Sequence, residues 1–168
     1  MGFHSLRDVL QEQLEDLHSA ETQLVAALPK MAQSAHHEEL RQAFEHHLEE
    51  TREHLKRVHE ALSEIGVATP TEVCKAMKGL IAECDEMMSR SGDPRAKDAA
   101  LIGAAQRIEH YEIAAYGTAR QLADDCGFDG ISDLMDQTLD EESHADKVLT
   151  KIATGGMFRA GVNQKATA

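Results

Sequence analysis

The chain has 168 residues, 42% of them hydrophobic, with 30 acidic against 17 basic side chains and a formal net charge of −13. That suits one domain with a core of moderate size, and a field of that sign repels nucleic acid and anionic membrane surfaces. Aromatic content of 4%, only 3 Pro and recurrent Ala, Leu, Glu and Gln point to an all-α protein.

The N-terminal stretch MGFHSLRDVLQEQLEDL is amphipathic and acidic. It lacks the apolar run and small-residue cleavage site of a secretory signal, and no stretch of about 18 apolar residues occurs, so a cytoplasmic location away from membranes is expected. Ser5 is a candidate N-cap, and Leu6, Leu10, Leu14, Leu17, Leu24, Val25 and Leu28 then recur at helical spacing, with Pro29 a kink or stop. A second helix carries Leu40, Phe44, Leu48, Leu55, Val58, Leu62 and Ile65 and ends before Gly66. Residues 68–92 read as a crossover with one or two short helices. A third helix spans about 95–125, a Cys-Gly-Phe-Asp-Gly turn follows, and a fourth spans about 131–153. Gly155-Gly156 then opens a flexible tail, giving a bundle over 1–154 and a tail over 155–168. Two antiparallel helical hairpins joined by a long crossover make the architecture of a ferritin-like four-helix bundle. Cys74, Cys84 and Cys126 match neither a zinc ribbon nor a disulfide framework and read as reduced and structural.

Helical phase locates the polar residues. At about 100° per residue, Leu10, Leu14, Leu17, Val25 and Leu28 lie within about 40° of Glu21. On the third helix, Ile102, Ala105, Ile113 and Tyr116 lie equally close to Glu109, with Glu112 about 60° away on the same side. On the fourth, Ile131, Met135, Leu149 and Ala153 cluster within about 20° of Glu142, and Asp146 is about 40° off. An E-x-x-H motif, Glu141 to His144, is out of phase with that stripe, which favours Glu142 over Glu141. The second helix centres near Thr51, with His47 and His54 each within about 60° and Glu50 about 100° off, on the rim. Even so, His47, Glu50 and His54 can converge beside that helix.

An internal repeat bears on Glu50. Glu21, Val25, Ala26, Ala27 and Leu28 match Glu109, Ile113, Ala114, Ala115 and Tyr116 at 109 − 21 = 88 residues, and Glu49-Glu50-Thr51 matches Glu141-Glu142-Ser143 at 142 − 50 = 92. This alignment pairs Glu50 with Glu142 and His54 with Asp146, and so turns Glu50 inward. Taken one at a time, such a carboxylate is as readily a rim residue with its head in water, and such a histidine a satisfied core or surface group.

Collectively the inward carboxylates need a counter-charge, because burying each as an unpaired ion costs several kcal/mol. Only Arg57 and Arg120 are candidate core-facing cations on these helices. Two metal ions bridged by carboxylates would neutralise the cluster, and carboxylates with one or two imidazoles suit iron or manganese.

The strings SAETQL, HLEET, EHYEIAAYGT and LDEE, in that order, resemble the YciF-type ferritin-like stress proteins over nearly the whole chain up to about Ala153. The resemblance implies a cytoplasmic, dimerising four-helix bundle with a short helical connection, associated with bacterial stress responses. The wider ferritin-like superfamily implies two iron or manganese ions, and the Glu109/Glu112 pair is similar to rubrerythrins in particular. The expected ligand set is Glu21, His47, Glu50, His54, Glu109, Glu112, Glu142 and Asp146, with Tyr116 placed to carry an electron or hydrogen-bond a ligand, or simply to fill the core. The resulting expectation is a dinuclear centre in a homodimer that reacts with hydrogen peroxide or dioxygen. The alternatives are a non-enzymatic stress protein with a structural or vestigial metal site acting through a partner, and a mini-ferritin shell.

Overall fold

The structure is a computed structural model that describes residues 2–156 and 159–167. Four long helices, α1 (Leu6–Ser34), α2 (Glu38–Glu64), α4 (Pro94–Asp125) and α5 (Asp129–Thr154), form a ferritin-like bundle, with α3 (Lys75–Ser89) in the crossover. The hairpins α1–α2 and α4–α5 are the most closely packed pairs, α1 faces α4 and α2 faces α5, and α3 lies over α1 and α4.

Local chemistry explains the ends. Ser5 and Asp8 form a capping box, Ser5 Oγ accepting from the Asp8 amide and Asp8 accepting from the Ser5 amide. Such a cap contributes about 1 kcal/mol. Helix α1 runs through Pro29 to Ser34, so of the two expectations, kink or stop, the proline does not stop the helix. The turns on either side of the proline bury Leu28, Met31 and Ala32, and that packing outweighs one lost backbone hydrogen bond. The start of α2 has no side-chain cap of its own. Asp98 of α4, buried, accepts from the backbone amides of His36 at 2.9 Å and His37 at 2.8 Å instead. A carboxylate there also opposes the positive end of the α2 dipole. Helices α2 and α4 both end in a Schellman turn, with Gly66 at φ +86° and Gly127 at φ +77°, a region L side chains seldom adopt.

The crossover is tied down by its backbone. Thr71 N donates to Glu15, Cys74 N to Ser19 Oγ, and Gln23 Nε2 to the Cys74 carbonyl, while Cys74 Sγ accepts from Met77 N at the start of α3. The three cysteines are free thiols, two of them buried, in structural positions. Beyond α5 the chain differs from the expected tail. Residues 155–156 (β1) and 159–160 (β2) pair antiparallel, and Val162, opening the short helix α6 (Val162–Lys165), is buried against the core. An apolar side chain with a place to dock outweighs the glycine signal, so packing extends past residue 154; residues 157, 158 and 168 lie outside the described residues.

The core is split. One apolar cluster holds Leu24, Leu28, Met31, Leu40, Phe44, Ile102 and Leu149, and the other Leu10, Leu14, Leu17, Val58, Leu62, Ile131 and Met135. Between them, at the middle of the bundle, the helices turn polar side chains inward. Burial also shows the repeat register. Leu14/Ile102, Glu21/Glu109, Leu24/Glu112 and Leu28/Tyr116 are buried pairs at 109 − 21 = 88 residues, as the sequence indicates. In the second pair of helices, Leu40/Ile131, Phe44/Met135, His47/Thr138, Thr51/Glu142 and Val58/Leu149 are buried at 142 − 51 = 91, one residue away from the expected register.

Candidate metal centre

Each long helix delivers side chains to the layer between the two apolar clusters because a polar residue takes one turn of its buried stripe. Glu21 comes from α1, His47 and His54 from α2, Glu109 and Glu112 from α4, and Glu142 from α5, all of them buried. Glu142 lies at the centre. His54 Nδ1 is 2.9 Å from its Oε1 and 3.7 Å from Glu21 Oε1, while His47 Nε2 is 3.6 Å from Glu142 Oε2 and 3.5 Å from Glu109 Oε1. Two sets of donor atoms result, each mutually within 4.8 Å: His47, Glu109, Glu112 and Glu142 in one, Glu21, His54 and Glu142 in the other. Glu142, common to both, is placed to bridge.

The imidazoles are oriented from behind. His47 Nδ1 lies 3.4 Å from Glu50 Oε2, which leaves Nε2 facing the cluster. His54 Nε2 lies 2.9 Å from Glu141 Oε2, which leaves Nδ1 facing it. Glu141 is in turn gripped by Arg57, whose Nη1 also donates to Thr138 Oγ1 at 3.0 Å. A carboxylate behind each histidine is the arrangement that fixes the tautomer and raises the basicity of a metal-binding imidazole. Tyr116 Oη donates to Glu21 Oε1 and leaves Oε2 free.

Among the described residues, eight of the ten buried side-chain atoms without a hydrogen-bond partner gather here: Glu21 Oε2, His47 Nε2, His54 Nδ1, Glu109 Oε2, and both oxygens of Glu112 and Glu142. Within the cluster, His54 Nδ1 and Glu142 Oε1 meet at 2.9 Å as an ion-pair contact, and the other two atoms, His37 Nδ1 and Arg120 Nε, lie elsewhere. Buried polar atoms are ordinarily paired, so this concentration on one point signals a charge the side chains do not supply. Arg57 is committed to Glu141, and Arg120, the other cation expected to face the core, pairs with Asp136 at 3.5 Å on a half-exposed flank. The protonation preferences agree. Burial drives the Glu21 carboxyl up to about 7 and lifts Glu109 and Glu112 well above the carboxylate range. Burial alone would depress His47, but Glu109 and Glu142 raise it to about 10; burial likewise opposes, and His47 and His54 outweigh it, in holding Glu142 low. Without a bound cation the cluster shares protons instead.

Six of the eight expected ligands therefore converge, and two do not. Glu50 sits on the rim, as its phase on α2 indicates, with its two oxygens on His46 and His47. The repeat had turned it inward only because its register was one residue out; Thr51 occupies the place equivalent to Glu142 and spends its hydroxyl on the His47 carbonyl. Asp146 lies in the α4–α5 seam, accepting from Gln106 Nε2 at 2.9 Å, with His110 3.5 Å away. Its opposite-facing partner on α4 is polar, which phase on α5 alone does not reveal. The sequence reading missed Glu141 as the support of His54. The signal was there, in Arg57 three residues after His54 and Glu141 beside Glu142.

Comparison with known proteins places these features in context. A family model described as a domain of unknown function (DUF892) matches residues 5–167. Protein YciF of Escherichia coli (strain K12) is 41% identical over 165 residues, covering 98% of this chain and 99% of that protein. The crystal structure of the E. coli stress protein YciF superposes with a TM-score of 0.88 at 37% identity over the superposed residues, covering 99% of this chain and 100% of that one. YcfI from Rhodopseudomonas palustris, described as a putative structural protein, superposes at 0.86 with 37% identity over 89% of this chain and 96% of its own. A protein from Xanthomonas campestris pv. campestris superposes at 0.70 with 22% identity over 88% and 89% of the two chains, a likeness of fold alone.

Proposed function

The chain belongs to the DUF892 family, and from that membership and its buried cluster we propose that this YciF-like protein is a dinuclear iron or manganese carboxylate protein that reacts with hydrogen peroxide or dioxygen. The observation that carries the reading is the set of orphaned buried oxygens and nitrogens drawn from four helices onto one point, shared between two groups by Glu142. Glu21 and His54 would hold one ion, His47, Glu109 and Glu112 the other, and Glu142 both. When bound, such a pair supplies Lewis acidity and a redox couple for peroxide or dioxygen.

The chain's own residues do the rest. Glu50 and Glu141 hold the imidazoles in the tautomers that face inward. Glu109 and Glu112, which favour the protonated form when buried, exchange those protons for a cation. Tyr116 holds its proton at Oη against Glu21, within the layer, and apolar clusters flank the layer on both sides. In this reading the protein is a cytoplasmic homodimer whose partners are metal ions and the oxidant. Among the described residues no helix is long and apolar enough to cross a membrane.

The test is metal content by plasma mass spectrometry, on protein purified without chelator, for wild type and Glu109→Ala. About two iron or manganese ions per chain, lost in the variant, support the centre, and peroxide and ferrous-iron turnover assays then separate an enzyme from a structural site of the kind YcfI's description suggests. Wild type that holds no metal, even after anaerobic reconstitution with ferrous or manganous ion, overturns the reading.

A further inference from the structure

The E-x-x-H motif set aside as a ligand pair has a second half still unused. Its Glu141 supports His54, but His144 points the other way, and with Glu50 and His46 it lines an opening between α2 and α5. The floor of that opening is His47 and Glu109, each buried and each presenting an unpartnered atom, Nε2 and Oε2. Two other approaches are covered in different ways. Helix α3 lies over α1 and α4, and farther along the α2–α5 seam the Arg57–Glu141–Thr138 contacts span the gap. Where the opening lies, its wall is apolar, formed by Ala43, Phe44, Ala145, Val148 and Leu149.

We propose that this opening is the entry passage for divalent cations, and that His46, Glu50 and His144 at its rim make the first cation-binding step. The inference rests on the dinuclear reading above and adds the route by which it is loaded. The rim is graded from solvent to interior: the His46 side chain is 74% exposed, Glu50 23%, and His47 6%. Glu50 spans the step, one oxygen 3.4 Å from His46 Nε2 and the other 3.4 Å from His47 Nδ1. A cation held at Glu50 Oε1 passes next to Glu109 Oε2 and His47 Nε2 at the floor, while Glu50 Oε2 keeps its contact with His47 Nδ1, so it moves from one carboxylate to another and does not cross the apolar wall bare. Oxygen and imidazole donors in that combination suit a hydrated ferrous, manganous or cobaltous ion.

The test is the rate and the amplitude of anaerobic Co2+ uptake, read from the visible absorption of the bound ion, with Co2+ alone as the probe. Wild type is compared with the exposed double variant His46→Ala/His144→Ala and with Ala145→Phe, which plugs the wall. The expected result is unchanged amplitude with uptake slowed about tenfold or more in each variant, the scale on which local charge and ligands accelerate association. Wild-type rates at full amplitude in both variants overturn the passage while leaving the metal centre intact. Lost amplitude in His46→Ala/His144→Ala also overturns it, since those residues would then be ligands. A wild type that binds no Co2+ at equilibrium overturns the dinuclear reading itself, and the passage with it.

Discussion

Replacing Glu112 by leucine should make the metal-free protein more stable and its metal complex weaker. Glu112 is buried on α4 where the repeat places Leu24 on α1, and neither of its oxygens has a hydrogen-bond partner. Burial pushes its carboxyl well above the carboxylate range, so the metal-free fold carries it as an unpaired neutral acid. Such a buried polar group costs about 1–3 kcal/mol in protein interiors, and a leucine of similar volume removes that cost and restores dispersion contacts. In a chain of 168 residues each kcal/mol moves Tm by about 2–4 °C, so Glu112→Leu should raise Tm in chelator by roughly 2–12 °C. With saturating Mn2+ the order should invert. Wild type gains about 2.7 kcal/mol at a hundredfold excess over Kd, whereas the variant has lost a ligand and gains less. Differential scanning calorimetry with chelator and with metal reads both. A variant less stable than wild type in chelator would refute the reasoning, because Glu112 would then have a structural partner and no need of a cation.

The metal-free protein should lose stability as pH rises from about 5 to 9. The folded state keeps protons on Glu21 up to about pH 7 and on His47 up to about 10, whereas the unfolded chain releases them near 4.5 and 6.5, so each contribution is complete below the lower value and disappears as pH passes the upper one. Glu142, held low, acts oppositely, but its loss falls below pH 4.5 and outside that window. Thermal melts across pH check this, and added metal should flatten or reverse the slope because it binds deprotonated ligands. Glu141→Gln should weaken metal binding by about 10–100-fold in titration calorimetry, since it loosens His54 without removing a ligand. Asp98→Ala should cost about 2–5 kcal/mol in urea unfolding, with metal stoichiometry unchanged, because it strips a charged acceptor from two amides at the start of α2.

Much of this protein was decided by the sequence alone. Apolar side chains three and four apart give four amphipathic helices, Ser5, Gly66 and Gly127 mark where several of them begin or end, and a 100° step per residue turns Glu21, Glu109, Glu112 and Glu142 inward. Phase also put Glu50 on the rim and preferred Glu142 to Glu141, because the direction of a side chain about its own axis is a local property. What lay across the gap was not local. Phase could not show that Asp146 meets Gln106 and His110, nor that Glu141 and Arg57 stand behind His54. The register of the second repeat depended on helix packing, which buries Thr51 and Glu142 as equivalents, where matching short strings slipped by one residue. Asp98 capping α2 from 61 and 62 residues away and Val162 entering the core are likewise decisions of tertiary structure. Each depends on which surface arrives opposite, and the periodicity of a single helix carries no record of that.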